Sequence, residues 1–113
     1  MNLDPEDDKL VTLARAAAGR IGAPRGAAVR DEDGRTYAAA SIRLPHLRLS
    51  ALQLAVAQAA AAGAETLEAA AVVALDGEVT DVVDADGLAA VRDLAKSAPV
   101  YSVTGDDISQ VAG

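Results

Sequence analysis

Apolar residues recur along the chain with two periods, and together they outline one layered domain. Asp4-Pro5-Glu6-Asp7 opens the first helix: Asp4 can cap, Pro5 suits the first helical position, and Glu6 and Asp7 complement the positive end of the dipole. Leu10, Leu13, Ala14, Ala17 and Ile21 follow at helical spacing on one face. Gly19, Gly22, Pro24 and Gly26 then break the pattern, so the helix is expected to end near Gly19 with a loop over 20–25. Residues 27–32 and 35–42 flank Asp33-Gly34 and predict a hairpin whose two-residue turn has positive φ at both positions.

The central stretch is apolar almost all round. Over 50–62 only Ser50, Gln53 and Gln58 are polar, the rest is Ala, Leu or Val, and no residue is charged. A helix lying on a domain surface would show a polar stripe. This one predicts cover on most sides, and because its side chains are small, a second copy of the chain is the natural extra cover; the plainer alternative is an alanine face left exposed. Gly63 ends the helix. Residues 68–74 predict a buried strand, Asp76-Gly77 a turn and 78–83 a further strand. Residues 86–98 are amphipathic, with Leu88, Val91, Leu94 and Ala95 on one face, Pro99 closes them, and 100–103 is a last strand. Residues 105–113 are expected to hold one more helical turn. This order predicts a single α/β layered domain over residues 1–113, with about five strands and no internal repeat.

Composition narrows the function classes. The formal charge is −7, with ten basic and seventeen acidic residues, which disfavours a phosphate-backbone surface. Tyr37 and Tyr101 are the only aromatic residues, too few for a stacking platform. No nucleic-acid partner is expected. No apolar run reaches the roughly 18 residues of a membrane span, and the start MNLDPEDDKL is acidic where a signal peptide is basic, so no membrane partner and a cytoplasmic location are expected. Cysteine is absent and His46 is the only histidine, an inventory that predicts no metal and no cofactor.

The chain from about residue 10 to 103 resembles the homo-oligomeric, zinc-dependent cytidine deaminases. The matching stretches are LARAAAG, GAAV, EDGRTY and the ungapped run SALQLAVAQAAAAGAETLEAAAVVA. The resemblance implies a three-layer α-β-α fold with a mixed sheet, an N-terminal β-hairpin and a buried central helix, assembled as a homodimer or homotetramer. It also implies that Ser50 stands where such enzymes carry a zinc-binding cysteine, Leu52 at the proton-shuttling glutamate, and Gln53 at an arginine. A serine hydroxyl is a weak zinc ligand and a leucine has no proton to move. The region that would supply the other two ligands, residues 82–94, holds neither Cys nor His, and Asp84 and Asp86 there fit helix caps and turns. The ribose-holding positions fall near Ser41 and Arg43, and Arg43 reverses the charge.

These residues predict no catalytic group and leave Ser41, Arg43 and His46 as candidate ligand-binding residues. His46 lies before the central helix with no acidic or nucleophilic neighbour in sequence. Arg43 and Arg48 make a small basic island that, with Arg30, could receive an anion, although solvated charge is the commoner role of such arginines. Gly19, Gly22 and Gly26 lack the spacing and the Lys-Ser/Thr of a phosphate loop. The expected function is that of a degenerate, non-catalytic member with a structural or interaction role, holding at most a small nucleoside-like ligand or an unidentified protein partner. The alternatives are a nucleoside-type hydrolase with a relocated site built from carboxylates and His46, and an accessory subunit of another protein.

Overall fold

A computed structural model describes residues 1–78 and 80–113. Ten elements run in the order α1 (Pro5–Ile21), β1 (Arg25–Asp31), β2 (Thr36–Ala40), β3 (Ile42–Arg43), β4 (Arg48–Leu49), α2 (Ala51–Ala61), β5 (Leu67–Ala74), α3 (Ala85–Leu94), β6 (Val100–Thr104) and β7 (Asp107–Ala112). The main sheet has the order β2-β1-β5-β6-β7, and β3 and β4 form a small ladder of their own. Only β5 and β6 are parallel, joined by a crossover through α3, so the sheet is mixed.

Strand alternation distributes side chains to two cores. Ala28, Ala69, Ala71, Val73, Tyr101 and Val103 meet Leu10, Val11 and Ala14 of α1. Ala27, Val29, Ala70, Val72 and Val100 face the opposite way, against Leu52, Ala55 and Val56 of α2 and Val91 of α3. The result is the α-β-α layering expected from the element pattern and the resemblance. Alanine in the central strands keeps both sheet faces shallow and lets helices approach closely. A Cβ on Gly26 would lie 2.0 Å from the Ala14 carbonyl oxygen, so α1 rests almost directly on the β1 backbone. No helix among the described residues is long and apolar enough to cross a membrane.

A polar clasp locks α1 to the sheet. Asp7 is only 6% exposed and accepts from Tyr101 Oη at 2.8 Å and Arg30 at 2.9 Å. Arg30 reaches on to Glu68 at 2.8 Å. Burial first, and then the hydrogen bond to Asp7, push the Tyr101 phenol up to about 12, which keeps it a donor through ordinary pH. Arg30, read from sequence as part of the basic island, is therefore committed elsewhere.

Four local expectations are corrected. First, α1 runs on to Ile21 and ends at Gly22 in the left-handed conformation (φ 65°), which leaves Ile21 66% exposed rather than on the buried face. Second, the hairpin turn is not one with two positive φ values. Only Gly34 (φ 79°) takes one there, and Gly34 N–H bonds the Asp31 carbonyl at 3.1 Å, the pattern of a tight turn followed by a glycine bulge. The buried Asp31 carboxylate organises it, accepting from Tyr37 Oη, Asp33 N–H and Arg35 N–H. Desolvation opposes its ionisation, but those three donors outweigh it and lower its pKa.

Third, of the strand expected over 78–83, residue 79 lies outside the described residues, and Thr80 to Val83 are turns and bends. β5 already has β1 and β6 on its two sides, so no ladder remains for a hairpin partner. Val82 instead plugs the α2–α3 core at 4% exposure. Fourth, residues 105–113 form no helical turn. Gly105 (φ 60°) and Asp106 make a two-residue turn, and β7 pairs antiparallel with β6 as the sheet edge.

Candidate functional site

A cavity of about 710 Å3 opens where the C-terminal end of α1, the start of β1, the β3–β4 ladder and the first turns of α2 and α3 converge. Each side chain reaches it for a local reason. Gly22 turns the chain so that Ala23 and Pro24 lead Arg25 into β1 beside the exposed Ile21. Ser41 leaves β2, its N–H held by the Arg25 carbonyl at 3.1 Å, and starts the excursion that carries Ile42, Arg43, Arg48 and Leu49. Ser50 and Gln53 come from the first turn of α2, and Asp84 and Asp86 from the start of α3.

Three arginines, Arg25, Arg43 and Arg48, line the cavity together with two acidic residues, Asp84 and Asp86. Arg25 is tied to Asp76 at 2.6 Å. The Asp76 carboxylate sits below its usual range because the Glu78 N–H bonds it, against some desolvation, with Arg25 adding to the effect. Asp84 caps α3, accepting from Gly87 N–H at 2.8 Å. Arg43 and Arg48 lie directly across from each other in the β3–β4 ladder. Arg48 makes one long contact, 3.4 Å, to the Leu44 carbonyl. Among the described residues neither arginine is in an ion pair.

The first turn of α2 is built to hold its own backbone. Ser50 Oγ accepts from Gln53 N–H at 3.0 Å, while Gln53 Oε1 accepts from Ser50 N–H at 2.9 Å, a reciprocal capping box. Leu52 points inward and is 0% exposed. Its Cβ lies 2.8 Å from where a Cβ on Gly87 would sit, so α3 needs a glycine there to pack on it. The junction between the two helix N-termini is thus filled with hydrocarbon.

The residues present do not fit a zinc ion. Such an ion takes about three protein donors drawn from His, Cys and carboxylates. At this junction the Ser50 hydroxyl is engaged as a cap, Leu52 and Gly87 offer no donor, and the Asp84 carboxylate holds the α3 backbone. Among the described residues no group of three or more His, Cys, Asp or Glu side chains is close enough together to hold a metal.

Of the candidates read from sequence, Ser41, Arg43 and Ser50 line the cavity, and Leu52 is buried beneath it. His46 is exposed in the loop joining β3 to β4 and is not among the lining residues, so it is not brought to Asp84 or Asp86. Arg25, Gln53, Asp84 and Asp86 are lining residues that the sequence did not single out for binding. The local signals among them are those of helix starts, the Ser-x-x-Gln spacing at Gln53 and the capping aspartate at Asp84. A sequence model for the family described as cytidine deaminase-like matches residues 3–107. No curated protein matches the chain.

Proposed function

The chain belongs to the cytidine deaminase-like family, and from that premise we propose that it is a member without deaminase chemistry, a cytoplasmic structural or interaction protein. The observation that carries this reading is Leu52, fully buried against α3, at the position that the resemblance gives to the proton shuttle of a deaminase. Hydrocarbon there can neither move a proton nor position a hydrolytic water. Ser50, spent on the helix cap, supports the same conclusion. The cavity above them is open, and in this reading it holds a small ligand without turning it over.

The test is elemental analysis of freshly purified protein beside a deamination assay with cytidine and deoxycytidine. We expect zinc well below one ion per chain and no turnover above a metal-free background. Stoichiometric zinc together with turnover would sink the proposal.

Assembly is part of the reading. Within one chain α2 buries Ala51, Leu52, Ala55, Val56 and Ala59, while Ala57, Gln58, Ala60 and Ala61 remain exposed. That outer face is uncharged and small, so a second copy can approach closely at little desolvation cost. A homodimer or homotetramer through α2 is expected, read as two or four chain masses by light scattering at micromolar concentration. A single species at monomer mass would reject it.

A further inference from the structure

We propose that Arg43 and Arg48 form an anion clamp at the mouth of the cavity, and that the ligand it takes is the phosphate monoester of a small polyhydroxyl compound. This rests on the reading of the cavity as a binding site and specifies what enters it.

The argument begins with a placement that costs stability. Residues directly opposite in an antiparallel ladder have Cβ atoms about 5 Å apart, and like charges there destabilise the pair. Arg43 and Arg48 are such a pair, in a ladder of only two residues per strand. Acidic partners are plentiful in a chain with seventeen of them. Arg25 has found Asp76, and Arg30 has found Asp7 and Glu68. The opposed arginines have none among the described residues, and both line the cavity. A doubly charged oxyanion between them turns the repulsion into two charge-assisted contacts, and the planar guanidinium fork matches phosphate oxygens better than an ammonium would. Ser50 follows Leu49 directly, so the positive end of the α2 dipole lies on the same side of the cavity and reinforces the preference.

The rest of the cavity selects the organic part. Asp84 and Asp86 on the α3 side offer carboxylate oxygens, which accept hydrogen bonds from hydroxyls. No aromatic side chain lines the cavity. Tyr37 and Tyr101, the only Phe, Tyr or Trp residues in the chain, are bonded to Asp31 and Asp7. A flat base would find nothing to stack on, whereas a sugar phosphate uses both the cationic and the anionic wall.

Thermal unfolding at constant ionic strength tests this with ribose 5-phosphate, inorganic phosphate, ribose and cytidine as probes. Ribose 5-phosphate should raise the melting temperature by about 5 °C at ten times its Kd. Inorganic phosphate should raise it less, and ribose and cytidine not at all. Arg43→Gln and Arg48→Gln should each weaken the apparent affinity about tenfold while leaving the unliganded melting temperature unchanged or slightly raised. Lys9→Gln makes the same charge change about 18 Å along α1 from the cavity-lining Ile21 and should leave affinity intact. No rise with ribose 5-phosphate at about 10 mM, where a millimolar site is mostly filled, would overturn the clamp. So would a rise that survives both arginine substitutions. Cytidine turnover would overturn the non-catalytic reading and not the clamp, so the two failures are distinct.

Discussion

Leu52→Glu, which places an acid where the proposed reading puts the proton shuttle of a deaminase, is expected to destabilise the protein by at least about 4 kcal/mol and to yield no deamination. Leu52 is 0% exposed, and it belongs to a hydrophobic core built from α2, α3 and the sheet. A carboxylate there loses its hydration and gains no partner, because the nearest acid-binding groups, the Gly87 and Gln53 N–H donors, already bond Asp84 and Ser50. Domains of this size are stable by roughly 5–15 kcal/mol, so the loss is a large share of the total. Burial would raise the new carboxyl's pKa above its unfolded value, so the folded variant would bind the extra proton. Its deficit against the parent should therefore be full above the raised pKa and shrink as pH falls toward about 4. Urea unfolding at pH 7.5 and pH 5 measures both effects, with Leu52→Ala, expected to cost about 3–5 kcal/mol at both pH values, as the reference for lost packing alone. A Leu52→Glu protein as stable as the parent, or one that binds zinc and deaminates cytidine, would show that the α2–α3 junction is not the closed core described.

Gly26→Ala is the second large effect, about 3 kcal/mol of destabilisation for a single added methyl group. The new Cβ would stand 2.0 Å from the Ala14 carbonyl oxygen and 2.9 Å from the Ala18 Cβ. Most overpacked sites relax by turning a side chain, but here the obstacle is helix backbone. Relief requires lifting α1 off the sheet, which thins every contact that Leu10, Val11 and Ala18 make with it. Gly19→Ala in the same helix should do the opposite, stabilising by up to about 1 kcal/mol, because nothing lies within 4 Å of its added carbon and alanine is the better helix former. Urea midpoints of the two variants measured together decide the matter. Equal shifts, or a neutral Gly26→Ala, would mean that α1 does not seat on β1 as closely as described.

The chain carries its helix starts in short range. Asp4-Pro5 at α1, Ser50 with Gln53 at α2 and Asp84 at α3 each satisfy backbone donors within three residues, so the signal and the partner lie in one local stretch. The buried strand β5 was equally legible, because a strand covered on both faces must be apolar on both. Strands at the margin were not. β7 buries little, and its hydrogen bonds go to β6, so its apolar pattern is faint; the Gly105-Asp106 turn between two arms was its one local trace. The strand expected over 78–83 differs at Thr80 to Val83 for the reverse reason: Val82 and Val83 are apolar enough, but β5, the strand they would turn back on, already has β1 and β6 on its two sides.

The candidate site divides along the same line. That Ser50 and Leu52 lack the chemistry of a zinc deaminase follows from residue type, and neither folding nor context can give leucine a proton. Whether the space around Leu52 is open or filled does not follow from residue type, and the packing of Leu52 on Gly87 decided it. Arg30 and Arg43 look alike in sequence, each a base in an extended stretch. Only the tertiary structure separated them, sending Arg30 into the Asp7–Glu68 clasp and setting Arg43 against Arg48 beside the cavity. Local chemistry determines where helices start and which reactions a side chain can perform, because those energies are settled within a few residues. Which charges find partners is a long-range matter, decided when segments as distant as Asp7, Arg30, Glu68 and Tyr101 meet across the sheet.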